Sequence, residues 1–70
     1  MSAYKDDPRV MRHDDASFTV RVSPGAEAVV VFSFAKGRWL AYPPGRFMDG
    51  MYSEFADDDS AIRSLIGEPP

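Results

Sequence analysis

Three consecutive aspartates, Asp57, Asp58 and Asp59, stand directly before a helical pattern and could do two kinds of chemistry. Carboxylate oxygens bind hard cations such as calcium, but calcium ligands usually alternate along a loop that contains a glycine. Carboxylates also accept hydrogen bonds from the free backbone N–H groups at the start of a helix and interact favourably with its positive end. We therefore predict that Asp57 or Asp58 caps a helix and that the chain binds no metal. Capping does not account for all three charges, which repel one another.

The single histidine, His13, is followed by Asp14 and Asp15 and is the obvious candidate for acid–base chemistry. A carboxylate can orient an imidazole, but neighbours along a strand seldom face each other, and no nucleophile is marked for such a pair. The serines lie in no nucleophile-elbow pattern, and the glycines are placed for turns rather than for a phosphate-binding loop. We predict a protein that is not an enzyme and needs no cofactor.

A third group of residues has the side-chain types that are enriched at protein interfaces, namely aromatic residues, methionine and arginine. Its members are Arg38, Trp39, Tyr42, Arg46, Phe47, Met48 and Tyr52. The same residues could instead close the core at one end of a sheet, and the sequence leaves both possibilities open. We predict that this group and the three aspartates form the contact surface for a protein partner.

An alternative function uses two other arginines. If Arg12 and Arg21 share a sheet face with Tyr42 or Trp39 nearby, the face could hold a single nucleic-acid strand by charge and stacking. The chain as a whole is acidic, with a formal net charge of -3, and it has no dense cluster of lysine or arginine. Nucleic-acid binding is therefore the second choice.

Composition places the chain among small globular proteins. Its 70 residues, 44% of them hydrophobic and 27% charged, suffice for one small core, and the lack of cysteine excludes disulfides and thiolate zinc sites. Residues 9–47 carry six cations and three carboxylates, whereas residues 48–70 carry one cation and six carboxylates. We expect a cytoplasmic protein, because no apolar run is long enough for a membrane and the first residues do not resemble a secretion signal. The absence of Asn and Gln hints at a prokaryotic or phage origin.

Alternating and helical patterns predict an α+β fold. We expect a small antiparallel β-meander of four or five strands, with one C-terminal α-helix packed on one face. The predicted strands are residues 9–13, 17–23, 28–34, 39–42 and 51–55, and the helix follows the aspartates and ends before Gly67. The domain bounds are 1–8 for a flexible arm, 9–67 for the domain and 68–70 for a tail.

The strand at 28–34 is apolar on both of its faces, which a sheet tolerates only when both are covered. One face belongs to the predicted core, whose members are Val20, Val22, Val30, Phe32, Phe34, Phe55, Ile62, Leu65 and Ile66. The other face carries Val29 and Val31, and one small helix cannot cover both sides. We therefore predict that the protein forms a homodimer or docks on a larger partner through this face.

The order of elements from Gly37 to Leu65 resembles the DNA arm-binding domains of tyrosine recombinases. In those domains a G-x-W strand precedes a helix that starts after a phenylalanine and has an alanine in its first turn. Here Gly37, Trp39, Phe55 and Ala61 carry the resemblance. It implies the same strand-to-helix order, but those domains are basic, and we carry over no binding residue from them.

Overall fold

The computed structural model describes residues 4, 6–46 and 48–67. These residues form one five-stranded antiparallel sheet, in the order β1-β2-β3-β4-β5, and one helix packed against it. The elements are β1 (Val10–Asp14), β2 (Ser17–Ser23), β3 (Ala26–Ser33), β4 (Arg38–Tyr42), β5 (Ser53–Phe55) and α1 (Asp58–Ile66). The predicted α+β meander with a C-terminal helix is confirmed, in its five-stranded form.

Turn chemistry explains why consecutive strands pair. The turn from β2 to β3 contains Gly25 with φ of 79°, and the turn from β3 to β4 contains Gly37 with φ of 65°. Residues other than glycine rarely adopt positive φ angles, so glycine at these positions lets the chain reverse its direction in a short turn. Each strand therefore returns beside its predecessor, and each face of the sheet is assembled from residues close in sequence.

The core lies between α1 and one face of the sheet, which we call the helix face. Cross-strand pairing aligns Phe18 with Val30 and Val30 with Ala41, and it aligns Val20 with Ala28, so these residues share that face. The buried core consists of Tyr4, Phe18, Val20, Ala28, Val30, Ala41, Ala61 and Ile62. Three of its members are alanines, which let the helix approach the sheet closely.

The predicted core is partly correct. Val20, Val30 and Ile62 are buried, and Phe55, Leu65 and Ile66 are half-buried against the core. Two other members are wrong, because Val22 is 37% exposed and Phe34 is 83% exposed. The pairing of β2 with β3 shifts between Arg21 and Ser23, which places Val22 at an irregular strand end. Phe34 lies one residue beyond the end of β3, in a turn.

The sequence predicts a flexible arm for residues 1–8, and two residues of that range are packed onto the domain. Tyr4 is buried in the core and its hydroxyl donates a hydrogen bond to the carbonyl oxygen of Gly67. Asp7 is buried as well, and its carboxylate accepts hydrogen bonds from the backbone N–H and the guanidinium of Arg9. Residues 1–3 and 5 and the predicted tail, 68–70, lie outside the described residues.

Candidate functional site

Strand alternation divides the predicted contact group between the two faces of the sheet. Trp39 lies on the helix face, where it pairs with Phe32 and Phe55 and packs against the core. Arg38 and Tyr42 belong to the opposite side of the sheet, since side chains one or three residues apart on a strand point in opposite directions. The residues predicted as one contact surface therefore lie on two.

The side of the sheet opposite α1, which we call the open face, has an apolar centre. Val29 pairs with Tyr42, and Val31 pairs with Leu40, so all four side chains occupy this face. Leu40 is 6% exposed, whereas Val29 and Val31 are half-buried. Helix α1 contacts β2 to β5 from the other side. The described part of the chain therefore places no helix over the two valines.

Charged and aromatic side chains border one side of the open face. The Lys36 ammonium is 3.7 Å from the Glu54 carboxylate and 5.8 Å from the centre of the Tyr52 ring, which lies 5.4 Å from the ring of Tyr42. The Arg38 guanidinium is 3.9 Å from Glu54. Interaction with Tyr52, and to a smaller extent with Glu54, raises the pKa of Lys36, so this residue is a cation at neutral pH.

A second ion pair borders the other side of the open face, between Arg21 and Glu27 at 3.9 Å. These border charges are solvent-exposed, so their pairing within one copy contributes little to stability. The open face therefore has an apolar centre, with cations and carboxylates on both sides of it.

The loop between β4 and β5 holds the remaining members of the predicted group. Arg46 lies 3.6 Å from Asp49, and its backbone N–H donates to the carbonyl oxygen of Pro43. Met48 is 92% exposed. The prediction for Phe47 falls outside the described residues.

The aspartate run begins the helix as predicted. Asp57 has extended backbone angles, with φ of -141° and ψ of 167°, and its carboxylate accepts a hydrogen bond of 2.7 Å from the backbone N–H of Ser60. This geometry confirms Asp57 as the N-cap. The carboxylate of Asp58 accepts from the backbone N–H of Asp59 at 2.8 Å. Within residues 4, 6–46 and 48–67, no three His, Asp or Glu side chains are placed to hold a metal ion.

Among the residues that the structure describes, three carboxylates have a pKa below the usual range because they accept hydrogen bonds in the folded chain. The principal donors are the backbone N–H of Ser60 for Asp57, the backbone N–H of Ala16 for Asp14, and the guanidinium of Arg9 for Asp7. A lowered pKa in the folded state means that folding stabilises the ionised form of the carboxyl group. Each group therefore stabilises the protein above its unfolded pKa, and that contribution is lost as the pH falls through the lower, folded value.

We expect the free energy of unfolding to be constant near neutral pH and to decrease as the pH falls below about 4, where unfolded aspartate takes up protons. Urea unfolding measured from pH 7 to pH 3 checks this. The Asp57→Ser variant keeps a capping oxygen without a charge, so its loss of stability on acidification should be smaller than that of the wild type. An equal loss in both proteins would contradict the role of the ionised cap.

The two arginines of the nucleic-acid hypothesis lie on opposite faces, so the condition that they share a face is not met. Arg12 pairs with Phe18 on the helix face and places its guanidinium 5.4 Å from the centre of that ring. Arg21 pairs with Glu27 on the open face. The arginines are separated because Arg21 lies three positions after Phe18 on β2, and an odd separation along a strand reverses the side-chain direction.

His13 does not form an acid–base pair with its neighbour Asp14. Its Nε2 atom is 2.6 Å from the hydroxyl of Thr19, and both side chains are at the surface. The Asp14 carboxylate accepts from the backbone N–H of Ala16 and from the hydroxyl of Ser17, which closes the turn between β1 and β2.

An additional surface, not recognised in the sequence, lies at one end of the helix face. Four aromatic rings contact one another in the order Phe34, Phe32, Trp39 and Phe18, with centroid separations of 5.0, 5.3 and 5.6 Å. We call this series the aromatic ladder. It runs from the buried Phe18 to the exposed Phe34. The signal that could have identified it is the position of Phe34 at the start of the turn, residues 34–37, between β3 and β4.

The chain was compared with protein-family models, with curated proteins and with solved structures, and none of them matches it. The described residues also contain no helix with the length and apolar character that crossing a membrane requires.

Proposed function

We propose that this chain is a small, non-catalytic interaction protein that forms a homodimer, or docks on a larger protein, through the open face. The single observation that carries the proposal is the position of Val29 and Val31 in the middle of a sheet face that α1 does not cover. Apolar side chains in the centre of an exposed antiparallel face are normally covered by another layer of protein. A second protein surface is the simplest such layer.

The charges around this face favour self-pairing over a strongly charged partner. Cations and carboxylates stand on both sides of the valines, in the Arg21–Glu27 pair and in the contacts of Lys36 and Arg38 with Glu54. When two identical faces meet about a twofold axis, such a mixed border can place each cation against a carboxylate of the other copy.

A bacterial or phage-encoded protein that works in the cytoplasm is part of the same proposal. The lack of cysteine fits a reducing compartment. The absence of Asn and Gln, with abundant Ala, Arg, Asp, Gly and Pro, fits a GC-rich coding sequence.

The Val31→Lys variant should convert a dimer into a monomer, because dimerisation would bury the new ammonium without a partner. Light scattering on a sizing column at low and high salt measures this directly. We expect the wild type at twice the chain mass of 7.8 kDa and the variant at that mass.

Met48→Lys is the matched control, because it adds the same charge at a residue that is 92% exposed in the loop. This variant should remain dimeric. A monomeric wild type at both salt concentrations would contradict self-pairing, and a variant dimer as stable as the wild type would contradict the open face as the interface.

A further inference from the structure

The exposed end of the aromatic ladder is a second surface, separate from the open face. Phe34 is 83% exposed, although its ring contacts the half-buried Phe32 edge-on at 5.0 Å. Nothing in the packing of the domain requires a phenylalanine there, since most of its ring is in water. Exposed aromatic rings supported by other aromatic rings are typical of contact surfaces, because they offer rigid apolar area.

Two acidic segments lie beside the ladder. The turn that contains Asp14 and Asp15 is held against it, because the backbone N–H of Phe32 donates to the carbonyl oxygen of Ala16 at 2.8 Å. On the other side, Phe55 pairs with Trp39, and the chain continues from Phe55 into the aspartates that start α1. These two segments carry five carboxylates, Asp14, Asp15, Asp57, Asp58 and Asp59.

Among the described residues, this side of the sheet has fewer cations than carboxylates, and one of those cations, Arg63 on α1, interacts with Asp57. Lys36 and Arg38 are next to the ladder in sequence, but both approach Glu54 on the open face. Arg12 is on the helix face, over the ring of Phe18 at the buried end of the ladder. The exposed end is therefore an aromatic surface in a negative field.

An exposed aromatic ring beside carboxylates favours some binding partners over others. A nucleic-acid strand could stack on Phe34, but its phosphates would meet the two acidic segments. A second copy of this chain presenting the same surface would bring like charges together. A protein segment with lysine or arginine around an apolar side chain satisfies both features, because its cations can face the carboxylates and the aromatic rings.

We propose that the exposed end of the aromatic ladder, together with the Asp14–Asp15 turn and the acidic start of α1, binds a basic segment of a protein partner. The proposal rests on the proposed function as an interaction protein and adds the chemistry of the partner. In a dimer formed through the open face, both copies keep this surface on the outside.

Trp39 provides a direct readout, because it is the only tryptophan of the chain and contacts both Phe32 and Phe18. The full chain is titrated with a short synthetic peptide of alternating arginine and leucine, and tryptophan emission is recorded. We expect a saturable change that weakens as salt is added. The same peptide with glutamate for arginine, or with serine for leucine, should give no saturable change.

Phe34→Ser should weaken peptide binding about tenfold or more, because it removes the exposed aromatic contact. Asp15→Asn should reduce the salt dependence of binding. Met48→Ser is the matched control, since it removes another highly exposed apolar side chain outside the ladder. Circular dichroism checks that each variant is folded, and substitution of the exposed Phe34 should leave the fold intact.

Unchanged peptide binding by Phe34→Ser would overturn the proposal, and so would equal binding of the glutamate peptide or the absence of any saturable change. A larger response to a single-stranded oligonucleotide than to the basic peptide would also overturn it. The mass of Phe34→Ser in solution separates this proposal from self-pairing. If Phe34→Ser remains a dimer but no longer binds the peptide, both the ladder proposal and self-pairing through the open face hold. If Val31→Lys also remains a dimer, the open face is not the interface and only the ladder proposal holds.

Discussion

Replacing Ile62 with alanine is expected to lower the free energy of unfolding by about 3 kcal/mol, the typical cost of truncating a fully buried isoleucine. Ile62 is 1% exposed and is the larger of the two buried side chains that α1 packs against the helix face of the sheet. A domain of this size has a total stability of about 4 to 10 kcal/mol. The Ile62→Ala protein should therefore unfold at a much lower urea concentration and be partly unfolded at physiological temperature.

Ile66→Ala is the matched control, because the same atoms are removed from the same helix. Ile66 is half-buried against the core, so its truncation should cost clearly less. Both substitutions replace isoleucine with the better helix former alanine, so the difference between them is mainly a difference in packing. Urea unfolding followed by Trp39 fluorescence measures both. Equal losses for the two variants would contradict the central position of Ile62.

Elements with strong local signals could be predicted from the sequence. The sequence predicts strand β2 with its observed bounds, because Phe18, Val20 and Val22 alternate with polar residues. The helix was predicted because its apolar positions have helical spacing, because aspartates precede them and because Gly67 follows. The short turns between strands then made the meander the expected topology.

The composition of the core was less predictable, because alanine carries no strong hydrophobic signal. Ala28, Ala41 and Ala61 are buried at the centre of the fold. The sequence instead predicts larger residues for the core, among them Phe34, which is exposed. Whether a residue near the end of a strand reaches the core depends on where pairing stops and where the helix lies. Neither is encoded in local alternation.

Which residues share a candidate surface depends even more on the register in which the strands pair. Arg38 and Trp39 are adjacent in sequence and share the interface-rich composition, yet they point to opposite sides of β4. In contrast, Phe18 and Trp39 are far apart in the chain and their rings stack at 5.6 Å. Only the pairing of β2 with β3 and of β3 with β4 brings them together. The apolar pair Val29 and Val31 was easier to recognise, because the two faces of one strand can be counted directly.

Replacement of Tyr4 should also reduce the free energy of unfolding strongly, because Tyr4 joins the first and last described parts of the chain. Its ring is 1% exposed in the core, and its hydroxyl donates to the carbonyl oxygen of Gly67 at the end of α1. The backbone N–H of Asp7 donates to the carbonyl oxygen of Tyr4 at 3.1 Å, and the Asp7 carboxylate forms an ion pair with Arg9 at 2.7 Å. Tyr4 therefore connects a residue that precedes β1 to the C-terminal end of α1.

Tyr4→Ala should lower the free energy of unfolding by about 3 to 5 kcal/mol, the usual cost of removing a buried aromatic side chain. Tyr4→Phe keeps the ring and should cost only about 1 kcal/mol, the net contribution of one hydrogen bond. Urea unfolding of both variants separates packing from the hydrogen bond. A Tyr4→Ala protein as stable as the wild type would contradict a role of Tyr4 in the core. A large loss would mean that the core of this small sheet is completed by a residue that precedes its first strand.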